Sequence, residues 1–246
     1  MDVPAIGALN RKASNGFPRI IEFAGAAGSG KSSLRRIMIR RNQRIKNMPF
    51  PPKVSYLPSL LRIYLRWSPL YFQKYRGTQW LSMQEIRNIG YLDTWLSAIR
   101  SDGRSGGDIF VIDPGSVYML SEQKEFGPEI TRHPSLQSWW NAKFEQWSSA
   151  LDVIIWMDAP EELCIDRVLS RAEDHELKYH SREEGLDELK RYREYYQKII
   201  PEMAARHPIK VFYFRSDQTP TEQIADQIFC DPDFKKIIAN SSATAA

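Results

Sequence analysis

The chain has 246 residues, with 34 lysines and arginines against 30 aspartates and glutamates, a net charge of +4 and a hydrophobic share of 42%. This composition is that of a globular protein that can bury a full core. No apolar run is long enough to span a bilayer, and residues 1–18 lack the apolar core of a secretory signal. Cys164 and Cys230 have neither metal nor redox spacing, so we expect free thiols in a reducing cytosol and a cytoplasmic protein.

The first elements are a leader, a strand, a glycine-rich turn and a helix. Residues 1–18 are polar, with several glycines and prolines, and we expect a flexible leader. A short apolar run, Ile20–Ala24, predicts a strand. After the turn, apolar residues recur at helical spacing as far as Ile45. The turn itself fits the pattern G-x-x-x-x-G-K-[ST] of a phosphate-binding loop, known as Walker A.

The residue types of this turn suit phosphate binding. Small residues let consecutive backbone N–H groups approach an anion, and the helix that follows directs its positive end at the same place. Lys31 is expected to reach the β- and γ-phosphates of a nucleotide, and the Ser32 hydroxyl can bind Mg²⁺. The residues predicted to bind the nucleotide here are Gly25, Ala26, Ala27, Gly28, Ser29, Gly30, Lys31, Ser32 and Ser33.

A helical block follows the phosphate loop. We expect residues 49–52, Pro-Phe-Pro-Pro, to end the first helix and Lys53–Leu57 to form a short second strand. The block itself spans residues 59–100 and contains an aromatic, basic helix interrupted at Pro69 and a second helix over Trp80–Arg100. Its arginines and aromatic side chains suit a phosphorylated or ring-containing acceptor, and they suit plain packing equally well. Arg87, in mid-helix, is the predicted substrate-binding residue.

The second half of the chain alternates strands with helices. Strands are predicted over Asp108–Asp113, Val153–Asp158 and Ile209–Phe214, and the helices over Val117–Gln123, Leu136–Leu151, Pro160–Leu169, Leu186–Ala205 and Thr221–Phe229. Residues 172–184 are almost wholly polar and predict a mobile lid, and residues 231–246 predict a tail. With right-handed crossovers, this order gives an α/β fold with a central parallel sheet of about five strands covered on both faces.

Asp113 is the strongest candidate for catalysis outside the phosphate loop. It ends a buried strand, and in open parallel sheets that edge faces the ligand. A carboxylate there can bind Mg²⁺ through water or take a proton from an acceptor hydroxyl. An aspartate before Pro-Gly can also simply cap the turn.

Arg167 and Arg171 are the second candidate pair. They lie four residues apart on one helix face, just before the predicted lid, where arginines can neutralise a transferring phosphate. Ion pairs with neighbouring carboxylates are the alternative. His175 and His180 have no third ligand nearby, so no zinc site is assigned. The arginines of the first helix predict a solvated face, and we expect no nucleic-acid partner.

Together, the Gly25–Ser32 loop, the Asp113 strand, the Arg167-x-x-x-Arg171 motif and the last strand resemble the thymidylate kinase and deoxynucleoside kinase group of P-loop kinases. The resemblance implies a P-loop NTPase-type three-layer sandwich over residues 19–230, ATP with Mg²⁺, an acceptor site under the 59–100 block and an arginine-bearing lid. It also implies that the loop at Arg215 lies against the adenine. In that group the strand-end acid is usually followed by Arg, whereas Asp113 is followed by Pro114, which leaves the acceptor open.

The sequence thus predicts an ATP-dependent phosphotransferase acting on a small-molecule phosphate acceptor. A nucleoside or nucleoside monophosphate is the first choice, and a sugar or another metabolite remains open. The alternatives are a regulatory ATPase or switch that acts on a macromolecule, and a module that binds ATP without turnover. We expect no membrane partner, and a homodimer is left open.

Overall fold

Five parallel strands form the centre of the molecule in the computed structural model, which describes residues 18–102 and 108–240. The strands are β1 (Arg19–Ala24), β2 (Ile45–Asn47), β3 (Ile109–Ile112), β4 (Val153–Asp158) and β5 (Lys210–Arg215). They lie side by side in the order β2-β3-β1-β4-β5. The strand that precedes the phosphate loop is therefore central, with a neighbour on each side, and the expected α/β architecture is confirmed.

Nine helices surround the sheet in the described ranges. They are α1 (Lys31–Arg41), α2 (Lys53–Leu70), α3 (Met83–Asp102), α4 (Ser116–Ser121), α5 (Gln137–Ala150), α6 (Glu161–Leu169), α7 (Arg182–Arg206), α8 (Thr221–Cys230) and α9 (Pro232–Asn240). Single turns at 71–75, 122–126, 129–132, 134–136 and 176–179 join some of them.

Each face of the sheet carries its own apolar core because successive strand residues point to opposite sides. Ile21 and Phe23 of β1 pack with α1, α8 and α9, whereas Ile20 and Ala24 pack with the helices from α2 to α5 and with α7. The three inner strands, β1, β3 and β4, are buried on both faces, which explains their nearly continuous apolar sequences. The carboxyl ends of the strands consequently stay free to form a site.

A third, smaller core supports the phosphate loop. Cys164, Ile165 and Val168 of α6 pack with Leu177 and with Leu189 of α7, and the two alanines of the loop lie against them. This cluster joins the loop, α6, α7 and the segment between those helices into one unit.

The chain between α1 and α2 differs from the expectation. Helix α1 ends at Arg41, and Ile45 belongs to β2 instead of the helix. Asn42 stops the helix because its side chain accepts a hydrogen bond from the backbone N–H of Arg44, which makes a local turn. The predicted strand at Lys53–Leu57 was also wrong, since α2 begins at Lys53 directly after Pro52, and proline is favoured at helix starts.

The polar segment after α6 is shorter than predicted. Helix α7 begins at Arg182 because Ser181 caps it, with Glu184 completing a capping box. The connecting residues 172–181 contain a single turn, Glu176–Tyr179, anchored by the buried Leu177. Only part of the predicted lid, 172–184, is therefore loop.

The segment predicted as a tail begins with helix α9. Phe234 and Ile237 of this helix are buried against α8 and the sheet. The predicted leader up to residue 17, the loop residues 103–107 and the terminal residues 241–246 lie outside the described residues. Among the helices of the described ranges, none has the length and apolar character needed to cross a membrane.

Candidate functional site

The loop after β1 has the backbone shape of an anion-binding turn. Gly25, Gly28 and Gly30 all have positive φ angles, of 138°, 82° and 96°. A Cβ on Gly28 would lie 2.3 Å from the carbonyl oxygen of Cys164, and a Cβ on Gly25 would lie 2.1 Å from that of Met157. Glycine is required at both positions because other residues would be strained and would collide with backbone. Helix α1 then starts directly after Gly30, so its free N–H groups face the loop.

Lys31 lies folded over this loop. Its Nζ donates to the carbonyl oxygens of Gly25 at 2.6 Å and Ala26 at 2.8 Å. Burial lowers the pKa of Lys31 below its ordinary value, while the nearby Asp113 carboxylate opposes that shift. These two bonds hold a cation ready at the loop and can be exchanged for phosphate oxygens without a change of backbone.

A large cleft of about 960 Å³ opens beside the loop, and Asp113 lies in its wall. Asp113 directly follows β3, so the sheet places it next to the loop that follows β1. Arg35 of α1 approaches it, with 3.8 Å between Nε and Oδ2. Its Nε is buried without a hydrogen-bond partner among the described residues, so this guanidinium has capacity for a further acceptor.

Glu22 lies beneath Asp113 and was not singled out by sequence analysis. It is fully buried on β1 and accepts hydrogen bonds from Ser116 Oγ and the backbone N–H of Val117, each at 2.6 Å. Burial raises its pKa to about 7, and the Asp113 charge adds to that rise. A Cβ on Gly115 would come within 2.4 Å of the carboxyl carbon. Glu22 therefore holds the turn Asp113–Ser116 in place. The one sequence signal for this role is a glutamate inside the otherwise apolar run Ile20–Ala24.

The segment 172–176 and Arg171 close the other side of the cleft. Arg171 faces the loop and contributes to the lowered pKa of Lys31. His175 lines the same wall, accepts a hydrogen bond from Leu177 N at 3.2 Å, and has a pKa lowered by burial and by Arg171. The predicted lid thus does face the phosphate loop.

Two other predicted arginines do not line the cleft. Arg167 donates to Gly28 O at 3.2 Å and to Ser216 Oγ at 3.1 Å, so it ties the phosphate loop to the loop after β5. Arg215 forms two hydrogen bonds with Asp217, at 2.9 and 2.8 Å. The structure therefore separates Arg167 from Arg171: helix α6 ends at Leu169, so Arg171 lies outside it and the predicted shared helix face does not form.

The wall of the cleft formed by α4 and α7 is aromatic and acidic. Tyr118, Tyr192 and Tyr196 line it together with Glu188, and Tyr192 donates a short hydrogen bond to Glu122. Burial raises the pKa of all three tyrosines, which keeps their hydroxyls protonated.

Helix α3 contributes Gln84, not Arg87, to the cleft. Arg87 is exposed and is not among the lining residues. Gln84 donates to Asn88 Oδ1 at 3.3 Å, and Asn88 is buried with its Nδ2 unpartnered among the described residues. Gln123, also buried, has an unpartnered Oε1 within the same described ranges. Of these three amides, Gln84 lines the cleft, and the other two are not among its lining residues.

The donor set fits a magnesium–nucleotide complex. The described residues contain no group of three or more histidines, cysteines and carboxylates that could hold a metal alone. The cleft instead offers the Ser32 hydroxyl and the Asp113 carboxylate beside the loop. This is the pattern of Mg²⁺, which keeps waters and takes most other ligands from substrate phosphates.

Comparisons with known proteins place the fold. No protein-family model matches the chain, and no curated protein matches it. Deoxyadenosine kinase from M. mycoides with bound dCTP superposes with a TM-score of 0.50 and 14% identity, covering 85% of this chain and 97% of that one. The structure of that kinase with the products dCMP and a flexible dCDP gives 0.51 and 15%, covering 85% and 96%. The fold implied by the kinase resemblance is therefore confirmed.

Proposed function

We propose that this protein transfers the γ-phosphate of ATP to a hydroxyl group of a nucleoside-type acceptor. One observation carries the proposal: a single cleft is lined by the phosphate loop with Lys31, by the strand-end carboxylate of Asp113, and by Tyr118, Tyr192 and Gln84. The loop would supply the phosphate site, the carboxylate would meet an acceptor hydroxyl, and the tyrosines and Gln84 would accommodate the acceptor.

The roles of the chain's residues follow from their positions. Lys31 and the loop N–H groups would hold the β- and γ-phosphates, and Ser32 would hold Mg²⁺, which neutralises phosphate charge when bound. Asp113 would accept the proton of the attacking hydroxyl as the new O–P bond forms and the bond between the γ-phosphorus and ADP breaks. Arg171, on the lid side, would stabilise the charge of the transferring group.

The charges of the cleft favour an unphosphorylated acceptor. Its lining basic residues are Lys31, Arg35, Arg36 and Arg171, which belong to the phosphate loop, α1 and the start of the lid. The wall formed by α4 and α7 carries tyrosines and Glu188 instead, and a monophosphate there would meet that carboxylate. A nucleoside therefore fits better than thymidine monophosphate, and the structurally similar deoxyadenosine kinase, which has dCMP as a product, supports this choice.

The test is a transfer assay with Mg-ATP. Deoxynucleosides, ribonucleosides, their monophosphates and sugars are offered separately, and both the phosphorylated product and ADP are measured by chromatography. We expect product from a nucleoside, loss of turnover in Lys31→Ala and Asp113→Asn, and unchanged turnover in Arg62→Gln, whose side chain lies far along α2. ADP release without any acceptor, or product only from sugars or monophosphates, would contradict the proposal.

A second assay separates the two roles considered for Asp113. If it is the base, Asp113→Asn lowers kcat at every Mg²⁺ concentration. If it acts as a water-mediated Mg²⁺ ligand, the variant recovers when Mg²⁺ is raised. The cytoplasmic location and the homodimer stay predictions.

A further inference from the structure

Helix α2 carries an exposed apolar face that no described element covers. Within the described ranges, ten large apolar side chains are exposed, and five of them lie on α2 and the turn after it. These are Leu57, Leu61, Tyr64, Leu65 and Phe72, which are 54–63% exposed. Their spacing of four, three, one and seven residues places them along one side of the helix. We call them the α2 face.

The opposite side of α2 is firmly packed, so the exposure is not a sign of a loose helix. Trp67 is fully buried and makes edge contacts with Trp139 and Trp140, and Ile63 lies in the same core. Ser59 donates a short hydrogen bond to Asp93 of α3. The helix is therefore apolar on two sides, and only one of them is used by the fold.

Basic side chains border the α2 face. Arg62, Arg66, Lys74 and Arg76 are all exposed. Arg66 and Arg76 have no carboxylate partner in the described part of the chain, and Arg62 lies 3.8 Å from Asp93. Several exposed arginines elsewhere are paired, such as Arg41 with Glu222 and Asp226 and Arg182 with Asp166. Arg66 and Arg76 thus carry charge beside the α2 face that no carboxylate of the described residues compensates.

The α2 face lies in a long stretch of the sequence that is basic and contains no acidic residue. Between residues 23 and 84 there are twelve lysines and arginines and no aspartate or glutamate. Arg40 and Arg41 of α1 pair with carboxylates of α8 and Arg35 approaches Asp113, whereas Arg66 of α2 and Arg76 after it pair with no carboxylate in the described ranges.

We propose that the α2 face docks the protein on an anionic lipid surface. Aliphatic and aromatic side chains along one side of a helix, bordered by arginine and lysine, are the features of a helix that lies in the headgroup region of a bilayer. Tyr64, Tyr71 and Trp80 pack together at the same place, and such rings prefer that region. The absence of a spanning helix in the described ranges is compatible with this mode, because the helix lies on the bilayer and does not cross it.

A second copy of the chain and single-stranded nucleic acid are less suitable partners for the α2 face. In a symmetric dimer through this face, each copy would bring the same unpaired arginines to the contact, and like charges would oppose it. Single-stranded nucleic acid is bound by aromatic stacking and basic grooves, and a row of leucines adds nothing to such a site. The inference departs from the expectation that the protein has no membrane partner.

The experiment is a flotation assay with the full chain and two kinds of vesicle, phosphatidylcholine alone and phosphatidylcholine mixed with phosphatidylglycerol, at low and high salt. We expect binding to the anionic vesicles only, weakened by salt. Arg62→Gln with Arg66→Gln should lower the partition coefficient roughly thirtyfold. Leu61→Ser with Leu65→Ser should lower it at least about tenfold.

Matched controls come from exposed residues elsewhere. Leu169→Ser removes an exposed leucine of α6, and Lys235→Gln with Lys236→Gln removes two charges of α9; neither should change vesicle binding. Melting curves verify that each variant folds. Absence of binding, or equal binding to neutral vesicles, overturns the proposal. So does sedimentation showing that Leu61→Ser with Leu65→Ser dissociates a dimer while vesicle binding is absent or unaffected, since the α2 face would then be an interface between copies.

Discussion

Arg167 and Arg171 lie on either side of the end of α6 and have different surroundings. Both were predicted to neutralise the transferring phosphate because i and i+4 residues share a helix face. Arg171 lines the cleft, whereas Arg167 is held by Gly28 O, Ser216 Oγ and Ser216 O. The spacing of four predicted a shared helix face, but α6 ends at Leu169, and the spacing could not reveal that the loop after β5 would bind the first arginine.

These positions predict different kinetic defects for the two alanine variants. Arg171→Ala should lower kcat roughly 10²–10³-fold with little change in the KM for ATP, since its charge acts on the transferring group. Arg167→Ala should raise the KM for ATP about tenfold and leave kcat nearly intact, because it loosens the phosphate loop. Steady-state kinetics with a fixed acceptor measure both. An equal loss of kcat in the two variants would contradict this difference and support the original prediction that both arginines act on the transferring phosphate.

Glu22 predicts a pH dependence of stability. Its folded pKa of about 7 lies above its ordinary value of 4.5, so the folded state binds this proton more tightly than the unfolded chain does. The resulting stabilisation is complete below pH 4.5 and is lost as the pH rises through 7. It amounts to about 3 kcal/mol.

The comparison that isolates this effect is Glu22→Gln, which keeps the side chain's shape and an acceptor oxygen. Urea unfolding from pH 5 to 8 should show the free energy of unfolding of the wild type falling relative to that of the variant. Parallel curves for the two proteins would show that Glu22 does not titrate in this range.

At the scale of elements, Gly28 of the phosphate loop and Gly77, which follows the turn at 71–75, form a matched pair of glycines. Gly77 and Gly28 both have positive φ, at 99° and 82°, but a Cβ on Gly77 would meet nothing within 4 Å, while one on Gly28 would enter the backbone of α6. Gly77→Ala should therefore lower the free energy of unfolding by about 1 kcal/mol, which is the strain of the positive φ angle alone.

Gly28→Ala adds a steric clash with α6 to the same backbone strain. It should lower the free energy of unfolding by about 3 kcal/mol or more, and it should also abolish ATP binding. Thermal unfolding gives the stabilities and titration with Mg-ATP gives the affinity. Equal costs for the two variants would mean that α6 can move away from the loop, contrary to the packing of its small core.

Helix α9 is a second element with a clear test. Phe234 is fully buried and packs edge-on against Phe212 and Phe229. Phe234→Ala should lower the free energy of unfolding by about 3 to 5 kcal/mol, whereas Lys235→Ala, on the exposed side, should change it little. Denaturant unfolding curves measure both free energies. A negligible change for Phe234→Ala would contradict the packing of α9 and favour the prediction of a tail.

The inner strands were the elements that the sequence predicted best. The strands before Gly25 and Asp113 and the strand Val153–Asp158 were predicted nearly to the residue, because buried parallel strands are continuous apolar runs bounded by turns. Strand β2 was missed since it has only three residues and one buried side chain, Ile45. The positions of Gln84 and Tyr192 in the cleft were also missed, because these residues come from distant helices that only tertiary packing brings together.

Across the whole molecule, the cleft lies where separate units meet. The phosphate loop links the central strand to α1, and its alanines share the small core with α6, α7 and the segment 172–181. A nucleotide bound there therefore contacts the sheet and the lid side together. It should stabilise the protein as one unit, which distinguishes it from a ligand that orders a loop alone.

This arrangement predicts the response to Mg-ATP. At a hundred times its Kd the nucleotide should add about 2.7 kcal/mol to the free energy of unfolding and raise the melting temperature in a single transition. Lys31→Ala should abolish the shift while keeping the unliganded stability, because the Nζ contacts only loop carbonyls. Limited proteolysis should show cleavage within 172–181, around the exposed Tyr179, slowed by Mg-ATP in the wild type and unchanged in the variant. A shift of equal size in Lys31→Ala would mean that the nucleotide binds elsewhere and that the loop is not its phosphate site.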